Sequence, residues 1–439
     1  MSKIDLDKMP TASDGDRHLI VLKFGGMSLA TPDHIKRAAR SVAELRATGV
    51  NVLVVVSAMG AATDGLIQLA YSVSERPNRR EFDMLLSTGE RVSMSLFSMA
   101  LSDSLNLIVP ESKAISFTGS QAGLFTDETH SNARIIDVKS IRVQEELSKG
   151  NVVILAGFQG VSPRTKEITT LGRGGTDVTA VAMAAAFRAT RCEILKEVPG
   201  VMSADPRVVR EARILPRLSH SQLLDMTFWG AKVLHYRSVE LAYTHAVPLR
   251  VSMAHQTSDS QKGIETIIQS GSEMNTFEND RVLAINSHSD VRIVRMTTEA
   301  LHDALQKIKD RLLTNSLPLP QILHVNKAEK SEKLESSSKG FVEVLITAPP
   351  ESLEAQLTCF KQDPFFHVIP QRFATLTTTC QGSYTTDLVV RLLDRLNQAQ
   401  IESYEIFQAP LSVTFLIDAA SRENGLRALH SLTSKSPDA

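Results

Sequence analysis

The stretch Leu19-Ile20-Val21-Leu22-Lys23-Phe24-Gly25-Gly26 decides how the chain is read. Leu19 to Lys23 reads as a strand, and the two glycines end it in a tight turn. A helix is expected just beyond, with Thr31 as N-cap and Pro32 at the first helical position. Ile35, Ala39, Val42 and Leu45 keep helical spacing, and Gly49 closes the helix. Val52 to Val56 follows as an unbroken apolar run of strand length, which fits a strand buried on both faces of a parallel sheet. Val152 to Ala156 and Cys192 to Leu195 repeat the pattern, with the Ala-rich helix Ala180 to Thr190 between them. Strand, helix and strand in alternation mean an α/β fold with helices on both sheet faces.

Working outward, the character changes after Val251. Residues 254–279 are polar and rich in Ser, Gln and Thr, as in a linker. Short units follow. Strands are expected at Val282 to Ile285, Val291 to Met296, Phe341 to Ile346, Phe373 to Thr378, Ile401 to Phe407 and Leu411 to Ile417. Helices are expected at Glu299 to Leu313, Ser352 to Phe360, Thr386 to Ala399 and Arg422 to Leu432. Two small α+β sandwiches fit this string, with Lys327 to Lys339 as a solvated loop. At the other end, Met1 to Arg17 carries four aspartates and no apolar core, so it reads as a loose tail and not a signal peptide. The chain has 439 residues, which at roughly 150 per domain gives about three domains. Its formal net charge of -1 argues against a nucleic-acid binder working by bulk charge. Cys192, Cys359 and Cys380 form no CxxC pair, which points to a reduced cytoplasmic compartment and away from a zinc site. No apolar run approaches the ~20 residues that span a bilayer.

Five clusters carry chemistry. Lys23-Phe24-Gly25-Gly26-Met27-Ser28 follows a strand, so its amides and the Lys23 charge can approach phosphate oxygens; the alternative is an ordinary turn with a surface lysine. It is not a Walker A loop, because the GKS or GKT ending is missing. Leu171-Gly172-Arg173-Gly174-Gly175-Thr176-Asp177 precedes the Ala-rich helix and joins free N–H donors to a guanidinium fork that matches a carboxylate or phosphate; otherwise it is a glycine turn with an N-cap. Lys232, within Gly230 to His235, stands in an apolar stretch and calls for a partner, either a phosphate or a core carboxylate. Ser87-Thr88-Gly89-Glu90-Arg91 reads as a helix start, where Glu90 either binds an ammonium or favours the helix end. Ser57 to Thr63 follows a buried strand, at the carboxyl end where open α/β sheets bind ligands.

Together these motifs resemble the aspartate kinase signature. Val21 to Gly26 with Ser28, Ser87 to Glu90, Thr118 to Gly123, Gly157 to Gly160, Leu171 to Asp177, Val198-Pro199-Gly200 through Ala204 to Arg207, and Gly230 to His235 match it in order and spacing. The tail after Val282 resembles paired ACT modules more loosely. The resemblance implies an amino-acid-kinase fold, a mainly parallel sheet sandwiched by helices, over residues 18–255. A linker would cover 256–281, and ACT-like modules would cover 282–370 and 371–439. It implies transfer of the ATP γ-phosphoryl group to the β-carboxylate of L-aspartate. An acceptor ionised at pH 7 requires no general base, so positioning and charge neutralisation should suffice. Arg173 would clamp the α-carboxylate; Glu90, with Asp177, would hold the α-ammonium; Ser57, Thr63 and Thr176 would hydrogen-bond the substrate. Lys23, the Gly25 and Gly26 amides and Lys232 would neutralise the moving phosphoryl group. Ser28, Lys196, Glu197, Met202 and Arg207 would belong to the nucleotide pocket, and Mg²⁺ would ride on the ATP phosphates without a protein ligand set of its own. A homodimer or higher oligomer and an amino-acid effector, lysine or threonine, are expected by the same analogy, without nucleic-acid or membrane partners.

The chain departs from the pattern at Met27, where a small hydroxyl residue is usual, and at Lys196-Glu197, where Thr-Asp is usual. Met202 replaces a common Tyr, and Tyr236 a common Pro. The first module lacks a glycine at its strand-to-helix turn, near Ser289, Asp290 and Thr297; the second keeps Gly382-Ser383-Tyr384-Thr385. A catalytically weak relative that senses an amino acid, and another carboxylate kinase of the same fold, are the competing readings.

Overall fold

The computed structural model describes residues 18–254, 264–270, 281–298, 300–315, 317–328, 341–381 and 385–433. The N-terminal tail, most of the 256–281 linker, Glu299, most of the 327–339 loop and Gly382 to Tyr384 lie outside the described residues. The chain divides into two compact units, the first taking residues up to Met202, Ile214–Thr227 and Lys232–Met274, and the second taking the remainder.

In the first unit the elements run β1 (Leu19–Phe24), α1 (Pro32–Ala47), β2 (Asn51–Val56), α2 (Ala62–Val73), α3 (Arg79–Ile108), β3 (Ala114–Phe117), β4 (Leu124–Thr126), β5 (Ile135–Val138) and α4 (Ile141–Ser148). They continue as β6 (Val152–Ala156), β7 (Gln159–Val161), β8 (Ile168–Thr170), α5 (Gly175–Ala186), β9 (Arg191–Lys196), β10 (Arg217–Ser219), α6 (His220–Phe228), α7 (Tyr236–Thr244), β11 (Leu249–Met253) and β12 (Glu265–Gln269). Thr31 caps α1 as expected, its hydroxyl accepting from the His34 amide at 3.2 Å. Eight strands form one sheet in the order β10-β12-β11-β9-β1-β2-β6-β3. Every pairing in it is parallel except β11 with β12. The apolar runs are buried strands, as their composition requires: all of β6, and all of β1 and β2 beyond their first residues, are out of solvent.

Strand alternation then sorts the side chains. Leu22 and Phe24 face one side and pack with Ile35 and Val42 of α1 and Phe97 and Leu101 of α3. Lys23, between them, must face the other side, which α5 covers. A smaller sheet, β5-β4-β7-β8, delivers the chain into the glycine-rich turn before α5.

Three sequence expectations are corrected here. The linker expected over 256–281 contains a strand: β12 pairs antiparallel with β11, and only Thr266 and Ile268 of its five residues are buried. Such half-buried alternation, Glu-Thr-Ile-Ile-Gln, is hidden by polar neighbours in sequence. Ser87 to Glu90 does not start a helix but lies inside the 30-residue α3. Ser87 and Thr88 turn their hydroxyls back to the carbonyls of Met84 and Leu85 instead of capping. The Ala-rich helix starts at Gly175, earlier than Ala180, so the glycine-rich turn opens directly into it.

The second unit takes in Ser203–Arg213 and Phe228–Ala231 as well as the C-terminal residues. Its elements are β13 (Val282–Asn286), β14 (Arg292–Met296), α8 (Leu301–Thr314), β15 (Gln321–Ala328), β16 (Phe341–Thr347), α9 (Pro350–Lys361), β17 (Phe366–Val368), β18 (Phe373–Cys380), α10 (Thr386–Gln398), β19 (Ser403–Ala409), β20 (Ser412–Asp418) and α11 (Arg422–His430). They build two antiparallel four-stranded sheets, β15-β16-β14-β17 and β13-β18-β20-β19. β13 pairs with β18, not with β14, so the strand expected to begin the 282–370 module belongs to the sheet of the 371–439 module. The first module is thus inserted between β13 and the rest of the second. Strand partnership is a non-local choice, and nothing in the composition of Val282–Asn286 encodes it. The Ser203–Arg213 segment packs Ala204 and Val209 against Leu376 and Leu429, and Ser203 Oγ lies 2.9 Å from His430 Nε2.

Candidate active site

The carboxyl ends of β1, β2, β6 and β9 meet the N-terminus of α5. Lys23, in register with Val55 of β2 and Ile194 of β9, is 6% exposed and needs a partner there. Asp177, in the first turn of α5, supplies it at 2.7 Å. Lys196, the last residue of β9, lies 3.6 Å from the other carboxylate oxygen and donates to the Val233 carbonyl. Burial alone would raise the Asp177 carboxyl, but the charges of Lys23 and then Lys196 outweigh it and hold it below the ordinary range. Burial pushes the Lys196 ammonium down, opposed by Asp177. Two ammonium groups against one carboxylate leave excess positive charge among these three, the electrostatics that suits an arriving phosphate.

The turns around this cluster are fixed by close approach. A Cβ at Gly26 would stand 2.7 Å from the Ala58 carbonyl oxygen. Gly174, the N-cap of α5, has φ of 70°, and a Cβ there would stand 2.2 Å from His235 Cβ. Burial, then the Arg237 charge, keeps the His235 imidazole below its ordinary range.

A second polar group lies across the ends of the same strands. Glu90 is 2% exposed; its Oε1 accepts from the Ala58 amide at 3.1 Å, while its Oε2 is buried without a hydrogen-bond partner among the described residues. Burial pushes its carboxyl up to about 7, against the Ala58 hydrogen bond. A buried carboxylate with an empty acceptor fits a cationic ligand group. Because the folded value lies above the ordinary 4.5, Glu90 costs nothing below pH 4.5 and progressively destabilises the free protein as pH rises through about 7. Glu90→Gln is therefore expected to gain stability over wild type between pH 5 and pH 8, by on the order of 3 kcal/mol at most. Urea melts of both proteins at the two pH values check this; a pH-independent difference would remove the buried-charge account. Next to Glu90's partner, Ser57 Oγ lies 3.4 Å from Thr176 Oγ1, linking the β2 end to the α5 start. Thr63 is half-buried in the first turn of α2. Arg173 is exposed and has no ion-pair partner among the described residues.

Several expected roles need correction. Asp177 is committed to Lys23 and Lys196 and is not an open ammonium acceptor beside Glu90. The Gly25 amide donates to the Leu195 carbonyl at 3.1 Å, so it is not a free phosphate donor. Lys232 is exposed and meets no carboxylate among the described residues, which removes the core-carboxylate alternative and leaves the phosphate one. Residues 229–235 are irregular backbone and not a strand or helix. Arg207 lies in the segment belonging to the second unit, where its guanidinium clamps Asp205 through Nε at 2.9 Å and Nη2 at 2.7 Å. Met202 makes an isolated bridge with Ile214. Ser28 does join the site, its hydroxyl donating to Glu197 at 2.9 Å, and Met27 is 60% exposed.

Sequence reasoning missed Gln159, whose amide donates to the Ser87 carbonyl at 2.9 Å, and Asp83, which is fully buried in α3. A charged residue between Phe82 and Leu86 on the apolar face of α3 was the available signal for Asp83. Among the described residues no group of three or more His, Cys, Asp or Glu side chains could hold a metal ion, and no helix is long and apolar enough to cross a membrane.

The amino acid kinase family model matches residues 18–252. The chain is 51% identical over 237 residues to an aspartokinase of Mycobacterium bovis, covering 54% of this chain and 55% of that one. It spans about half the length of the curated relatives it matches. In structure it is similar to Escherichia coli aspartokinase III in complex with aspartate and ADP (R-state), with a TM-score of 0.73 at 20% identity over 94% of this chain and 99% of that one. It is also similar to the same enzyme in complex with lysine and aspartate (T-state), with a TM-score of 0.66 at 20% identity over 95% of this chain and 100% of that one. At that identity the likeness establishes the fold.

Proposed function

We propose, for a chain that belongs to the amino acid kinase family, that it transfers the γ-phosphoryl group of MgATP to the β-carboxylate of L-aspartate. The products are 4-phospho-L-aspartate and ADP. The observation that carries this reading is the pairing of two poles at one sheet end: the orphaned Glu90 carboxylate, and the Lys23–Asp177–Lys196 cluster with its excess positive charge. An amino acid ammonium completes the first, and a triphosphate the second. The relatives named aspartokinase add the substrate's identity.

In this reading the aspartate ammonium fills the Glu90 Oε2 position. Ser57, Thr63 and Thr176 orient the chain of the substrate, and Arg173 closes on its α-carboxylate. A β-carboxylate oxygen attacks the γ-phosphorus in line, and the bond to the β-phosphate bridging oxygen breaks. No proton moves, since the acceptor has a pKa near ~3.9. Lys23 and Lys196 face the charge that spreads over the phosphoryl oxygens, and Asp177 holds both in place. Mg²⁺ comes with the nucleotide and supplies further charge neutralisation.

The second unit, with its two ACT-like sheets, would carry feedback control by an amino acid. The lysine-bound T-state of the E. coli enzyme makes lysine the first effector to try, with threonine next. A homodimer or larger assembly in the cytoplasm completes the proposal. The test is ADP release from MgATP with L-aspartate, L-glutamate or N-acetyl-L-glutamate as acceptor. Aspartate alone should support turnover; a preference for either other acceptor would replace the substrate.

A further inference from the structure

The glycine-rich turn that carries Arg173 has no side-chain anchor within itself. Gly172 and Gly174 take φ of 74° and 70°, and the arginine between them is exposed. The two residues just before the turn, however, are held from both sides. From α7, the Arg237 guanidinium donates through Nη1 to the Leu171 carbonyl at 2.6 Å and to Asn132 Oδ1 at 3.1 Å, and through Nη2 to the Ala133 carbonyl at 2.8 Å. From α3, the buried Asp83 accepts from Thr170 Oγ1 at 2.6 Å, from the Ser131 amide at 3.0 Å and from His130 Nδ1 at 2.7 Å. The Ala133 amide closes the arrangement on the Thr170 carbonyl at 2.9 Å. Residues 130–133 are thus zipped to residues 170–171, immediately before Gly172-Arg173.

Arg237 makes no ion pair with a carboxylate among the described residues, although it is half-buried. A guanidinium withdrawn from water onto neutral oxygens gains less than one facing a carboxylate. What its planar fork does supply is a fixed angle between two chain segments, which a lysine ammonium cannot reproduce. The same helix start brings His235 against Gly174, so the α7 N-terminus borders the turn at both of its ends.

We infer that Arg237 is a positioning residue for Arg173. It fixes the exit direction of the glycine-rich turn from Leu171, so that the Arg173 guanidinium is presented to the substrate carboxylate before substrate arrives. Asp83 fixes the same strand end from behind. This rests on Arg173 being the substrate clamp. It makes Arg237 matter to one substrate and not the other, because the turn meets the amino acid while the Lys23 cluster meets the phosphates.

The test compares the full-length wild type, Arg237→Lys and Arg237→Gln. Steady-state kinetics with L-aspartate and MgATP are read beside hydrogen exchange of the peptide spanning residues 170–177 and the thermal melt. Arg237→Lys should raise the aspartate KM by about tenfold or more, with kcat and the MgATP KM within about threefold. Exchange in the 170–177 peptide should quicken while other peptides keep their rates. Arg237→Gln, which retains donors but no fork, should do the same more strongly. An unchanged aspartate KM with wild-type exchange overturns the inference. So does a parallel loss of both KM values with a general fall in the melt, or failure of both variants to fold, since either marks a merely structural arginine. If wild type itself does not phosphorylate aspartate, the proposed function fails, and exchange in the 170–177 peptide alone decides whether Arg237 positions the turn.

Discussion

Replacing Lys23 by Met should lower kcat by about two to three orders of magnitude, the range found when one preorganised donor to a developing negative charge is removed. The aspartate KM should change little, since Lys23 lies on the α5 side of the sheet against Asp177 and makes no contact with Glu90. The substitution also leaves Asp177 with Lys196 alone, at 3.6 Å. In wild type the depressed Asp177 carboxyl stabilises the fold at neutral pH, and that contribution is lost as pH falls through the folded value. Without Lys23 the carboxyl should move upward and the acid limb of stability should begin at higher pH. A stability profile over pH therefore accompanies the kinetics. Near-wild-type kcat from folded Lys23→Met would transfer the phosphoryl role to Lys196.

Arg173→Ala should have the second large effect, on the other substrate. Losing the charged partner of a buried carboxylate costs on the order of 2–5 kcal/mol, which is about 30- to 4,000-fold in kcat/KM for aspartate. Stability should stay within about 0.5 kcal/mol, because Arg173 is exposed and holds nothing in the free protein. A substrate probe separates a clamp from a general defect. β-Alanine is aspartate without its α-carboxylate, so wild type should prefer aspartate strongly and Arg173→Ala should lose that preference. Retained discrimination would take Arg173 out of the site.

How much of this was legible in the sequence depends on whether the cause is local. The buried strands at Val52 to Val56 and Val152 to Ala156 announce themselves by unbroken apolar runs, and the Thr31–Pro32 helix start by its cap. Lys23 and Asp177 were found because glycines flag the turns beside them. Their pairing at 2.7 Å was not, since it follows from strand alternation combined with the placement of α5. Glu90 was singled out from the wrong local structure: its run looks like a helix start, while α3 begins eleven residues earlier at Arg79. Lys232 was flagged by apolar neighbours in sequence, and its exposure leaves the phosphate of the two partners the sequence offered. The β13–β18 pairing and the Arg237 fork are long-range choices that leave no pattern within any short window.

Lys196 and Glu197, which depart from the usual Thr-Asp, are not idle in the structure. Lys196 shares Asp177 with Lys23, and Glu197 accepts from Ser28. If the proposed reaction holds, both are expected to tune the phosphate end of the site.

The most direct test of the central claim is to trap the acyl phosphate. Purified full-length protein is incubated with MgATP, L-aspartate and hydroxylamine, and aspartyl hydroxamate is measured against ADP formed. The account predicts hydroxamate in proportion to ADP, abolished by omitting aspartate. ADP without hydroxamate, or neither product from protein shown to be folded and to bind aspartate, would contradict phosphoryl transfer to the aspartate β-carboxylate and leave an amino-acid-binding relative in its place.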